Sequence, residues 1–217
     1  MEQALTSPNG LLAAGGDLSV TRLLDAYRQG IFPWFNPDEP ILWWSPDPRM
    51  VLVPGQFKTS NSLKKVLRKG NYKVSFDRDF EQVMRCCAAP RESANGTWIS
   101  EDIIDTYCEL HRKGYAHSVE VYIEGKLAGG VYGVAIGCMF YGESMFSHVS
   151  NGSKIALAHL AKQLERWQFG LIDCQMSTPH LASLGAHEIP RSKFIAHLQE
   201  LIHCDPPINW QFDTDLF

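Results

Sequence analysis

The chain has 217 residues, 45% of them hydrophobic and 20% charged, with a formal net charge of −4. That length suits one domain of ordinary size plus a smaller lobe, and the apolar content, with six tryptophans, is enough for a core. No run of about 18 apolar residues exists, so a membrane span and a membrane partner are excluded. Met1-Glu2-Gln3-Ala4 lacks the basic flank and apolar stretch of a signal peptide, so a cytoplasmic protein is expected. Six cysteines occur without a CxxC pair and eight histidines without an HExxH. This pattern points to buried free thiols in a reducing compartment and supports no metal site.

In chain order, Asp17 and Ser19 are placed to cap a helix through Leu23, Leu24 and Tyr27 that ends near Gly30. Residues 31–54 then change character. Pro33, Pro37, Pro40, Pro46 and Pro48 forbid long helices and central strands there, and Trp34, Trp43 and Trp44 make the segment a structured aromatic loop fit to line a cleft. A helix is expected from about Ser60 to Lys69, stopped by Gly70, then a strand over 72–76. Asp77 is expected to cap a helix through Phe80, Val83 and Met84. Ser100 is expected to cap another, with Ile103, Ile104, Tyr107 and Leu110 on one face. Three antiparallel strands follow, over 117–123, 127–136 and 138–144, with turns at Gly125 and Gly137. A long helix over 153–169, a strand over 171–174, a helical turn near 180–184 and a helix over 192–203 complete the chain. The order gives an α+β fold with a mixed sheet.

Two acids stand out. Glu143 lies in Tyr141-Gly142-Glu143-Ser144-Met145-Phe146-Ser147, and Asp173 in Leu171-Ile172-Asp173-Cys174-Gln175. Each is a single carboxylate in a short apolar strand. Such burial is costly unless the acid is paired or used, so a hydrogen-bonded core acid and a site residue are both open for either one alone. A second feature is the window 48–76, which has no Asp or Glu but holds Arg49, Lys58, Lys64, Lys65, Arg68, Lys69 and Lys73. It reads either as a solvated helix face or as a local patch for phosphate backbones on an otherwise acidic protein.

The element order also resembles the core of the acyl-coenzyme A N-acyltransferases, the GNAT-like fold. In that fold a glycine-rich loop holds the coenzyme's pyrophosphate on backbone amides. Here Ser144–Gly152 has one glycine outside any Q/RxxGxG/A pattern, which points to the fold with a different acyl donor and no cofactor. Longer motifs carry a family. Pro8–Leu18, Gly30–Phe35, Trp43–Arg49, Thr97–Ile99, His117–Glu120, Gly142–Ser147, Leu171–Gln175, Ser183–Ala186 and Ile189–Arg191 together resemble the bacterial leucyl/phenylalanyl-tRNA–protein transferases. The match runs nearly end to end in the same order.

The resemblance implies an enzyme that moves Leu or Phe, and less readily Met, from aminoacyl-tRNA to the free α-amine of proteins beginning with Arg or Lys, marking them for degradation. It implies a small N-terminal lobe over 1–49, a GNAT-like catalytic domain over 50–217, and a monomer. The aminoacyl ester is already activated and an α-amine has a pKa of about 7.7–8.0, so catalysis needs mainly alignment, one proton acceptor and oxyanion stabilisation. Asp173 and Gln175 share a strand face and match the family's catalytic pair, with the acid either a base or a positioner. Glu143 matches the family acid that holds the aminoacyl-adenosine end or the incoming basic residue. Trp34 and Trp98 match aromatics near the terminal adenosine, and Gly142, Ser144, Tyr27 and Tyr107 match further residues there. Val131, Phe140 and Ile172 would line the amino-acid pocket. Lys64, Lys65, Arg68 and Lys69 match a basic helix that contacts the tRNA body. The family commonly has Met at position 131, often Arg at Asn61, and a longer segment before Pro8. The first bears on Leu-versus-Phe preference and the second removes a phosphate contact. Competing readings are a coenzyme A acetyltransferase, and a non-catalytic RNA-binding module that would leave Glu143, Asp173 and Gln175 unexplained.

Overall fold

The computed structural model describes residues 3–90, 97–205 and 209–217. Strands β1 (Leu11–Ala14), β2 (Phe32–Pro33) and β3 (Leu42–Trp44) form a small antiparallel sheet in the order β1-β3-β2. Helix α1 (Val20–Tyr27) lies between β1 and β2 in sequence; Ser19 caps it, and Leu23, Leu24, Ala26 and Tyr27 are buried. The strands are two to four residues long because the prolines around them interrupt any longer ladder.

The larger sheet has seven strands. These are β4 (Arg49–Leu52), β5 (Lys73–Phe76), β6 (Ala116–Ile123), β7 (Lys126–Ile136), β8 (Met139–Ser147), β9 (Leu171–Gln175) and β10 (His187–Ile189). Their order is β10-β4-β9-β8-β7-β6-β5, antiparallel throughout except for the parallel pair β8–β9. The mixed sheet expected from the sequence is present, but the proline-rich segment departs from expectation. β4 begins immediately after Pro48 and runs inside the sheet between β10 and β9. Proline excludes only its own position from the ladder, and all four residues of β4 are buried.

Helices cover both faces. On one lie α1, α3 (Phe80–Ala88), α4 (Glu101–Arg112) and α7 (Arg191–Leu201), whose apolar residues join one core cluster. On the other lie α2 (Asn61–Lys69) and α5 (Gly152–Arg166), joined to a second cluster. The short helix α6 (Pro179–Ser183) follows β9. Ser60, Ser100 and Thr178 cap α2, α4 and α6 by accepting from backbone amides, and Gly70 ends α2 in the left-handed conformation. Asp77 does not cap α3. Its carboxylate accepts from the Ser118 amide and pairs with His117, because a φ of +55° turns it toward β6.

Gly129 of β7 and Gly152 at the start of α5 touch backbone to backbone. A Cβ on Gly129 would fall 2.4 Å from the Gly152 carbonyl carbon. Gly129→Ala is expected to destabilise the fold by about 1–3 kcal/mol, because the helix must move off the strand. Thermal denaturation checks this.

Candidate active site

The site forms where β8 and β9 stop pairing. The two strands are in register over Met139–Tyr141 and Leu171–Asp173, and no pair joins them beyond that. Each then carries an irregularity. In β8, Gly133 opposes Gly142 and Tyr132 opposes Ser144, so Glu143 is the extra residue of a bulge. In β9, Val51 opposes Asp173 and Met50 opposes Gln175, which leaves Cys174 extra and Gln175 at φ +56°. Bulges bend a strand and re-aim side chains, and two on adjacent strands open the sheet at one point.

A cavity of about 880 Å³ occupies this opening. Its wall includes Trp34 from β2's end, Trp98, Glu143, Ser144, Gln175 and Leu181 of α6. Trp34 is 39% exposed; it meets Trp44 edge-on at 5.8 Å, and Trp44 Nε1 donates to the Trp34 carbonyl at 2.6 Å. Trp34 is thus partly exposed at the cavity while its backbone is pinned. Among the described residues lining the cavity, Asp38 and Glu143 carry carboxylates and none is a lysine, arginine or histidine.

Glu143 is held from behind. The Tyr27 hydroxyl donates to its Oε1 at 2.7 Å and the Tyr107 hydroxyl to its Oε2 at 3.3 Å, with the two phenol oxygens 2.5 Å apart. Burial pushes the Glu143 carboxyl up to about 7; the two phenols pull against that rise and the nearby Asp173 adds to it. Both phenols are themselves raised well above their usual range, by burial first and then by the Glu143 charge, so they remain neutral donors.

Asp173 is differently placed. It is fully buried, with its two oxygens accepting from Arg49 Nε at 2.8 Å and Nη2 at 2.6 Å. Oδ1 also accepts from the Gln175 backbone amide at 2.9 Å, which closes the left-handed turn at Gln175. The Gln175 side-chain Nε2 is buried without a hydrogen-bond partner among the described residues. A buried amide donor beside a cavity is costly unless something arrives to accept from it.

The structure therefore brings Glu143, Gln175, Trp34, Trp98 and Ser144 to one cavity. Tyr27 and Tyr107 stand behind Glu143, and Asp173 stands behind Gln175. Gly142 sits in the bulged stretch, where a Cβ would lie 3.5 Å from the Asp173 carbonyl oxygen. Val131, Phe140 and Ile172 are buried on the opposite face of the sheet, in the core cluster with α5. Lys64, Lys65, Arg68 and Lys69 are exposed on α2, and no described acid pairs with them. Arg49 leaves the basic window altogether, since it is fully buried against Asp173. Sequence reasoning missed that pairing, and missed Asn36, Asp38, Cys87, Met176 and Thr178 on the cavity wall. The proline-rich loop carried a signal for the first two. Nothing local marked the others.

Among the described residues no group of three or more His, Cys, Asp or Glu is arranged to hold a metal ion, and no helix is long and apolar enough to cross a membrane.

Comparison with known proteins identifies the family. Residues 51–199 match the family described as leucyl/phenylalanyl-tRNA protein transferase, and residues 16–47 match that family's N-terminal domain. A leucyl/phenylalanyl-tRNA–protein transferase of Nitrosospira multiformis is 61% identical over 99% of this chain and 93% of its own. That of Nitrosomonas europaea is 63% identical over 98% and 91%, and that of Thiobacillus denitrificans 61% identical over 99% and 94%. The chain belongs to the leucyl/phenylalanyl-tRNA protein transferase family, and it is an aminoacyltransferase.

Proposed function

We propose that the chain transfers Leu or Phe, and Met less readily, from aminoacyl-tRNA to the free α-amine of proteins that begin with Arg or Lys. The product carries a new N-terminus that marks it for degradation in the cytoplasm. The single observation that carries this reading is the cavity at the β8–β9 opening. It joins a carboxyl poised near neutral pH, an orphan amide donor and two tryptophans. On this reading residues 1–49 are a lobe supplying the aromatic wall, and residues 50–217 a GNAT-like catalytic domain.

The roles follow from the chemistry. The terminal adenosine stacks on Trp34 and Trp98, each worth about 1–3 kcal/mol, and Ser144 and Gly142 frame it. The amino-acid side chain passes between the diverging ends of β8 and β9 toward Val131, Phe140 and Ile172. The acceptor's neutral α-amine attacks the ester carbonyl carbon. Gln175 Nε2 donates to the oxyanion. Glu143 takes the proton released from the amine and returns it to the ribose 3′ oxygen as the ester C–O bond breaks. Tyr27 and Tyr107 hold Glu143 in place. Asp173, occupied by Arg49, acts by fixing the Gln175 turn. The carboxyl groups of Asp38 and Glu143 on the cavity wall favour a cationic acceptor residue. Lys64, Lys65, Arg68 and Lys69 bind the tRNA phosphates.

The donor side tests the reading. With one peptide beginning with Arg, labelled leucine and phenylalanine are expected to transfer from their tRNAs and alanine much less, with no label from acetyl-coenzyme A. Acetyl transfer, or equal rates from all three tRNAs, would overturn it.

A further inference from the structure

Arg49 is the most completely enclosed cation of the molecule as described, and the transfer chemistry does not use it directly. Its side chain is fully buried. Nε and Nη2 make the two-pronged pair with Asp173, and Nη1 donates to the Gly30 carbonyl at 3.1 Å. The guanidinium carbon lies over two rings, 4.8 Å from the Phe32 centroid and 4.6 Å from that of Phe194. One side chain thus ties β4 to β9, to the turn after α1, to β2 and to α7.

All of these ties except that to Phe194 end next to the cavity. Gly30 and Phe32 precede Pro33 and Trp34, which form its aromatic wall. Asp173 accepts from the Gln175 amide and so fixes the turn that carries the orphan Nε2. Only a planar, forked cation fits this arrangement. It meets a carboxylate with two parallel bonds, lies over aromatic rings, and keeps a third donor for a carbonyl. A lysine would keep the charge but lose the fork and the planar face.

A buried ion pair is a weak source of stability, because desolvating both charges offsets most of their attraction; an apolar pair of similar volume is often as stable or more so. Its cost is better accounted for by geometry. Resting on the transferase reading, we propose that Arg49 is a positioning residue. Through Asp173 it sets where the Gln175 amide points, and through Gly30 and Phe32 it sets how far Trp34 stands from that amide.

The test compares Arg49→Lys, Arg49→Met and the double variant Arg49→Met/Asp173→Leu with the wild type. Melting temperature, kcat, and KM for leucyl-tRNA and for the Arg peptide are measured on each. Arg49→Met leaves a buried unpaired carboxylate and is expected to melt lowest. The double variant is expected to recover a melting temperature near the wild type while kcat stays down about 100-fold, the scale of a small misplacement of reacting groups. Arg49→Lys is expected to lose about tenfold or more in kcat with its KM for leucyl-tRNA within about twofold. Its kcat should keep the wild-type dependence on pH near 7. The proposal is overturned if kcat simply follows melting temperature across the series, or if the double variant or Arg49→Lys turns over like the wild type. A wild-type protein inactive in the same assay would instead overturn the transferase reading.

Discussion

Glu143→Gln is expected to lower kcat by about 10²–10⁴-fold, the range that one positioned proton acceptor contributes. The substitution keeps the shape of the side chain and an oxygen for the Tyr27 hydroxyl, so binding of leucyl-tRNA should change little. The pH profile gives the sharper signature. Glu143 is raised to about 7 by burial, so its proton-accepting form is gained as pH rises through 7. The acceptor amine becomes neutral over about 7.7–8.0. Below pH 7 the wild-type rate at low acceptor concentration should climb with a log–log slope near two, one from each group. In Glu143→Gln the slope should fall to one. Stability moves in the opposite sense. A carboxyl whose folded value lies above its unfolded 4.5 is most favourable when protonated, so its contribution is lost as pH rises from 4.5 through 7. Glu143→Gln should therefore melt at or above the wild type at pH 8, with a flatter dependence on pH. A low rate combined with a low melting temperature at pH 8 would make the residue structural.

Neutralising Lys64, Lys65, Arg68 and Lys69 together is expected to weaken leucyl-tRNA binding on the order of 100-fold at low salt, with kcat at saturation nearly unchanged. All four are exposed on α2, whose buried residues are Leu63 and Leu67, so the helix should keep its packing. Each phosphate contact contributes a slope of about 0.9 in a plot of log affinity against log salt, so the four-fold variant should flatten that plot by roughly 3–4. Titration of labelled leucyl-tRNA at several salt concentrations reads both numbers. An unchanged slope would move the tRNA body to another face. Arg49 is left out of this set because it is fully buried, although the same acid-free window contains it.

That window shows where a sequence stops being legible. The sequence pattern correctly placed α2 between about Ser60 and Lys69 and its stop at Gly70, since both are local. Arg49 looked like its neighbours because the partner that neutralises it, Asp173, lies 124 positions away. Asp77 failed as a cap for the same reason: residues on β6 claim its carboxylate. Glu143 and Asp173 were visible as isolated acids in apolar strands. Their difference was not, because one opens onto a cavity and the other closes on an arginine. The bulges at Glu143 and Cys174 left no periodic trace, yet they place Gln175 and Glu143 at the opening. β1, β2, β3 and β10 are two to four residues long, too short for alternation to register. Val131, Phe140 and Ile172 lie across the sheet from the carboxyls, which no linear pattern distinguishes.

The most direct measurement is transfer of labelled leucine from leucyl-tRNA to two peptides, one with a free N-terminal Arg and one acetylated there. Label on the free peptide alone is the expected result: it requires the enzyme to align an α-amine with the activated ester. Label on neither, with the leucyl-tRNA shown to be intact, or label on both, would contradict the assignment of peptide-bond formation at a free α-amine to this cavity.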